Sequence, residues 1–133
     1  MTKVLIANRG EIACRIIRTC QSMGLPSVAV YSTADAGALH AEMADEAYEI
    51  GEAPVRSSYL NMDAILAVAK KTNADMVHPG YGLLSENAEF ADKVQRAGLK
   101  WVGPSPESMV AMADKERARS IAEKANVPII KGS

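Results

Sequence analysis

Short continuous apolar runs alternate along this chain with longer stretches in which apolar residues recur every three or four positions. Val4-Leu5-Ile6-Ala7 is such a run and reads as a buried strand. Asn8-Arg9-Gly10 turns the chain. Glu11 to Met23 then sets Ile12, Ile16, Cys20 and Met23 on one side of an amphipathic helix. Gly24 closes that helix and Pro26 follows, a common order at a helix stop. Ser27-Val28-Ala29-Val30-Tyr31 predicts a second strand, so the chain opens with a parallel pair joined by a right-handed crossover.

Ser32 to Asp45 is less regular, with Ala38, Leu39 and Met43 on a short helix. Ala47-Tyr48-Glu49-Ile50 reads as an edge strand before a Gly51 to Pro54 loop. Asn61 or Ser58 caps a helix through Lys71 that turns Ile65, Leu66, Val68 and Ala69 inward. A strand over 75–78 leads into a Gly-rich loop, a helix from Ser85 to Ala97 ended by Gly98, and a strand at Lys100-Trp101-Val102-Gly103. Ser105-Pro106-Glu107 starts another helix, with Ser at the cap, Pro at the first position and an acid in the first turn. Met109 and Met112 give it a buried face, Asp114 breaks it, and a further helix carries Ala118, Ile121, Ala122 and Ala125 before an extended Val127-Pro128-Ile129-Ile130. This alternation predicts an α/β fold, a Rossmann-like doubly wound parallel sheet.

Composition narrows the function. A chain of 133 residues makes one domain with a real core and is short for a multidomain enzyme. A net charge of −1 and 5% aromatic residues offer nothing to attract nucleic acid or stack on its bases. No apolar run approaches a membrane span. Cys14 and Cys20 point to different faces of one predicted helix and cannot pair, which fits reduced thiols in the cytoplasm or an organelle matrix.

The most informative segment is His78-Pro79-Gly80-Tyr81-Gly82-Leu83-Leu84-Ser85-Glu86-Asn87. Its glycines allow a sharp turn and close approach to a ligand, and a helix start beyond it exposes backbone amides to an anionic or polar guest. Tyr81, Gly82 and Glu86 are therefore ligand candidates, against the plainer reading in which the glycines only meet turn geometry. Asn8-Arg9-Gly10-Glu11-Ile12 sits where a dinucleotide fold keeps G-x-G-x-x-G but has one glycine, so a strand-to-helix turn with structural ion pairs is favoured there. His78 reads as a buried, hydrogen-bonded structural residue. With no Cys or second His nearby, no metal site is assigned to it or to His40. Asp114-Lys115-Glu116-Arg117 is either a solvated charged run or a helix break from which Lys115 reaches a phosphate.

Taken together, Lys3 through Ala13, Ala44-Asp45-Glu46-Ala47, Ser58-Tyr59-Leu60-Asn61, His78 through Gly82, Leu84 through Asn87, Gly103-Pro104 and Asp114-Lys115 resemble the N-terminal domain of biotin carboxylase, the ATP-dependent component of biotin-dependent carboxylases. The resemblance implies that residues 1–133 form this pre-ATP-grasp domain, with the ATP-grasp and C-terminal domains outside the chain. It implies an enzyme that uses MgATP and bicarbonate to form carboxyphosphate and then carboxylates carrier-bound biotin. By the same resemblance Lys115 contacts ATP, Tyr81 and Gly82 lie beside biotin with Glu86 nearby, and Arg15 and Arg18 on the first helix belong to a homodimer contact. Leu83 stands where many members carry Phe. The implied partners are the rest of the same enzyme, the biotin carboxyl carrier and the carboxyltransferase, in the cytoplasm or, for a eukaryotic parent, the mitochondrial matrix. ATP, Mg2+ and biotin are expected as cofactors of the full enzyme, with none tightly bound to this chain, which is expected to be inactive alone. An autonomous Rossmann-like nucleotide-binding or interaction module is the alternative.

Overall fold

The computed structural model describes residues 2–102. The strands are β1 (Val4–Ile6), β2 (Ser27–Ser32), β3 (Glu46–Gly51), β4 (Met76–His78) and β5 (Lys100–Trp101). Between them run α1 (Gly10–Met23), α2 (Leu39–Met43), α3 (Met62–Thr72) and α4 (Ala88–Arg96). The strands form one parallel sheet in the order β3-β2-β1-β4-β5. This is the doubly wound arrangement that the alternation predicts, with β3 at an edge as expected.

Strand alternation divides the core into two layers, because successive side chains point to opposite faces. Leu5, Ala7, Val28, Val30 and Val77 pack with Ile65, Val68 and Ala69 of α3 and with Phe90 and Val94 of α4. Val4, Ile6 and Met76 pack on the other face with Ala13, Ile16, Ile17 and Cys20 of α1. The buried stripe of α1 is broader than the sequence suggests. Ala13, Cys14 and Ile17 join Ile16 and Cys20, while Ile12 and Met23 sit half-buried at its border. Both cysteines are buried, and they form no disulfide with each other.

Two helix starts are decided by local hydrogen bonds. Asn61, rather than Ser58, caps α3 by accepting the Ala64 amide at 3.1 Å, while the Ser58 hydroxyl donates to the Pro54 carbonyl at 3.0 Å. The helix expected from Ser85 starts at Ala88. The Ser85 amide donates to the Gly82 carbonyl at 2.8 Å and the Asn87 amide to the Leu84 carbonyl at 3.1 Å, so residues 82–87 are spent on turns. Asn87 then caps α4 by accepting the Phe90 amide at 2.9 Å. Gly103, the helices expected after Ser105 and the extended segment at 127–130 lie outside the described residues. Among those described, no helix is long and apolar enough to cross a membrane.

Candidate functional site

The strand order reverses at β1. From there the chain winds outward through β2 and β3, then returns to β4 on the other side. Loops leaving β1 and β4 therefore diverge at the carboxyl end of the sheet, the place where open α/β sheets leave a ligand crevice. The Gly-rich loop is the one that follows β4, and the Asn8-Arg9 turn follows β1.

Asn8 ties the two loops together. It is 3% exposed, and its Nδ2 donates to the carbonyls of Pro79 and Tyr81, each at 2.7 Å. Its Oδ1 accepts the Arg9 amide at 2.8 Å. Carbonyls can only accept and an amide N–H can only donate, so these neighbours fix which way the Asn8 side chain faces. Beneath them the Ala7 amide donates to the His78 carbonyl at 2.9 Å, continuing the β1–β4 pairing. His78 is buried and its Nδ1 accepts the Gly80 amide at 3.1 Å, which is the structural role read from the sequence.

The turn depends on backbone that most residues avoid. Gly80 has φ of 66°, and a Cβ there would stand 2.7 Å from Asn8 Nδ2. Gly82 has φ of 63°, and Leu83 enters the left-handed region at 48°, at a cost of about 1 kcal/mol or more for a residue with a side chain. Tyr81 is 53% exposed, and Gly82 and Glu86 are exposed beside it in sequence. Glu86 lies in the turn before α4 rather than on the helix, a correction to its expected place at a helix start. Lys115 falls outside the described residues.

A second polar network holds the turn after β1. Arg9 Nε and a terminal guanidinium nitrogen donate to the two carboxylate oxygens of Asp35 at 2.7 and 2.8 Å. The Tyr59 hydroxyl donates to Asp35 at 2.6 Å and accepts the Ser32 amide at 3.0 Å. The Arg9 guanidinium also lies 5.6 Å from the centre of the Tyr59 ring. Hydrogen bonding by Arg9, opposed by burial and assisted by Tyr59, holds the Asp35 carboxyl well below its ordinary value. Burial, then the bond to Asp35, raises the Tyr59 phenol. This is the turn with a structural ion pair that the sequence favoured at 8–12.

Sequence reasoning did not assign roles to Asn8, Asp35 and Tyr59. The available signal was a run of hydrogen-bonding residues directly after β1 and β2, where strand ends bring distant turns together. Arg15 and Arg18 are on the exposed side of α1. His40 is buried, with Nε2 at 2.9 Å from the Val30 carbonyl and no hydrogen-bond partner for Nδ1 among the described residues. A cavity of about 580 Å³ lies at the other end of the sheet, between α3 and the segment leading into β5, lined by Leu66, Lys70, Asn73 and Leu99 among others. It is remote in topology from the switch point. Among the described residues no group of three or more His, Cys, Asp or Glu side chains could hold a metal ion.

Comparison with known proteins gives this geometry a context. A family model described as "Biotin carboxylase, N-terminal domain" matches residues 1–109. The biotin carboxylase of Halalkalibacterium halodurans is 56% identical over 131 residues, covering 98% of this chain and 29% of that protein. The chain thus spans less than a third of that relative's length. Among solved structures, the biotin carboxylase domain of a thermophilic 2-oxoglutarate carboxylase bound to ADP superposes with a TM-score of 0.74 at 44% identity, covering 99% of this chain and 29% of that one. A complete multifunctional pyruvate carboxylase from Rhizobium etli gives a TM-score of 0.73 at 40% identity, covering 98% of this chain and 13% of that one.

Proposed function

The chain belongs to the biotin carboxylase N-terminal domain family, and from that membership we propose that residues 1–133 serve as the N-terminal domain of an ATP-dependent biotin carboxylase. The parent enzyme is a ligase that carboxylates carrier-bound biotin with bicarbonate and MgATP. The observation that carries the reading is the Tyr81-Gly82 loop at the switch point of a sheet whose sequence matches this family. A role beside biotin suits the chemistry there. The ureido group of biotin presents a carbonyl oxygen flanked by N–H groups. The backbone amides of the exposed residues Tyr81 and Gly82 suit the oxygen, the Glu86 carboxylate suits an N–H, and the Tyr81 ring offers apolar cover.

Lys115 takes the nucleotide role in this reading, a compact positive charge reaching a phosphate. Magnesium would neutralise phosphate charge during transfer, and its ligands belong to the ATP-grasp portion of the parent. That portion, the C-terminal portion, the carrier and the carboxyltransferase are the proposed partners. Dimerisation through the exposed face of α1, which carries Arg15 and Arg18, belongs to the same reading. The compartment is the cytoplasm, or the mitochondrial matrix for a eukaryotic parent. Phosphoryl transfer needs metal clamps, which this reading assigns to the ATP-grasp portion, and the chain is proposed to be inactive without that portion.

The test replaces the matching 131 residues of the Halalkalibacterium halodurans biotin carboxylase with this chain. Biotin- and bicarbonate-dependent ATP hydrolysis should persist, and Lys115→Ala should raise the KM for ATP. A folded chimera that binds ATP yet hydrolyses it without regard to biotin would overturn the reading.

A further inference from the structure

Asn8 donates to two carbonyls of the Gly-rich loop, and those two bonds determine more than the position of the carbonyls. No peptide bond in the described chain is cis. In a trans peptide the C=O and the following N–H lie in one plane and point in opposite directions. Holding the Pro79 carbonyl toward Asn8 therefore turns the Gly80 amide away from it, where His78 Nδ1 accepts it at 3.1 Å. Holding the Tyr81 carbonyl toward Asn8 at 2.7 Å likewise turns the Gly82 amide away from Asn8, on an exposed residue. The first amide has an internal acceptor. The second makes no backbone hydrogen bond among the described residues.

We propose that Asn8 is a positioning residue for biotin: by holding the Tyr81 carbonyl, it aims the Gly82 N–H outward as the donor to the ureido oxygen. The inference rests on the biotin-side reading of the loop and adds the residue that makes the loop competent. Side-chain chemistry at position 8 is narrowly defined. Asp has the same shape and can still accept the Arg9 amide, but it has no donor for either carbonyl and sets a carboxylate against both. Ala or Ser is too short to span the gap. A longer Gln would push into Gly80, whose absent Cβ already leaves no spare room, a Cβ there standing 2.7 Å from Nδ2. With Asn8 only 3% exposed, water has little access to replace it.

The test uses the same full-length chimera. Asn8→Asp should raise the KM for biotin about 10-fold, the equivalent of the one hydrogen bond from the Gly82 N–H, and leave the KM for ATP within about twofold. A merely structural role would instead move both KM values together, and that result would overturn the proposal, as would a biotin KM within about twofold of the unsubstituted chimera. Tyr81→Ala and Glu86→Gln separate the two levels of inference. If these raise the biotin KM and Asn8→Asp does not, the role of Asn8 fails alone; if none of the three changes it, the biotin-side reading fails and the Asn8 inference with it. Should Asn8→Asp not fold, isotopically labelled glycine in the unsubstituted chimera supplies the answer. Titrating biotin should move the Gly82 amide resonance and leave that of Gly80, which is already held by His78. Absence of a Gly82 response overturns the proposal.

Discussion

Replacing Tyr59 by Phe removes one oxygen and leaves the ring in place, so its cost isolates the hydroxyl. Tyr59 and Ser32 are each 1% exposed. Without the hydroxyl, the Ser32 amide loses its acceptor at 3.0 Å in a place closed to water, a penalty of about 1–3 kcal/mol. The 2.6 Å bond to Asp35 is lost as well. Hydrogen bonds to a charged group contribute about 1.5–3 kcal/mol, and this one falls near the lower end because Asp35 keeps both of its bonds to Arg9. The total comes to about 3 kcal/mol, a fall in Tm of roughly 15 °C for a domain of this size.

Urea unfolding gives the measurement. Trp101 is the sole tryptophan and meets Phe90 edge-on at 5.5 Å, so its fluorescence reports on the core directly. Tyr48→Phe is the control, because the Tyr48 hydroxyl reaches Glu46 at 3.1 Å at a half-exposed site and should contribute little to stability. Pairing Tyr59→Phe with Asp35→Asn in a double-mutant cycle should give a coupling of about 1 kcal/mol or more. A Tyr59→Phe variant within about 0.5 kcal/mol of the parent, matching the control, would refute the claim that this hydroxyl ties β2 to the Arg9-Asp35 pair.

Acid stability follows from the carboxylates. Arg9 depresses Asp35 and Lys3 depresses Glu46, so their stabilisation is complete above the ordinary carboxylate range and is lost as pH falls through the lower folded values. Urea midpoints should hold steady from about pH 7 to pH 5 and drop below about pH 4, with a shallower drop in Asp35→Asn; an unchanged acid slope in that variant counts against the pair. Burial pushes the Cys20 thiol up to about 12, and Cys14 is buried too, so a thiol reagent at about pH 8 should label neither until urea is added. Labelling at the rate of a free peptide thiol would contradict the packing of α1. Phe90→Ala, at a fully buried ring, should cost about 3–5 kcal/mol, whereas Leu60→Ala at a partly exposed site should stay below about 1 kcal/mol; similar losses at both would deny Phe90 its central place.

The elements were legible because local pattern determines them. Val4 to Ala7 and Ser27 to Tyr31 can bury continuous apolar runs as strands, and the cap at Gly24 acts through neighbours a few residues away, whereas Asn61 was one of two candidates until its bond to the Ala64 amide decided it. The start of α4 was not legible to the same precision. Ser85 and Asn87 are both good capping residues, and the choice between them falls to the turn bonds that the Gly82 and Leu84 carbonyls accept from their amides. The candidate loop announced itself through its glycines. Its anchor did not, since an Asn after a strand looks like any other turn former. It becomes a clamp only because β4 pairs beside β1, so that Ile6 faces His78 and the loops beyond them meet.

That pairing also separates what the loop sequence specifies from what the sheet specifies. Gly80 and Gly82 permit the left-handed turns, but they permit other conformations equally well, since glycine is restricted less than any other residue. A flexible permission does not orient an amide. Orientation comes from a partner on a rigid element, and Asn8 stands one residue beyond Ala7, whose amide is already bonded to the His78 carbonyl at 2.9 Å. Its amide plane is further held by the bond to the Arg9 amide, and Arg9 in turn is held by Asp35 and Tyr59. The chain of bonds runs from β2 through the first turn to Tyr81, so the exposed face of the Gly-rich loop inherits its direction from buried residues at the ends of β1 and β2.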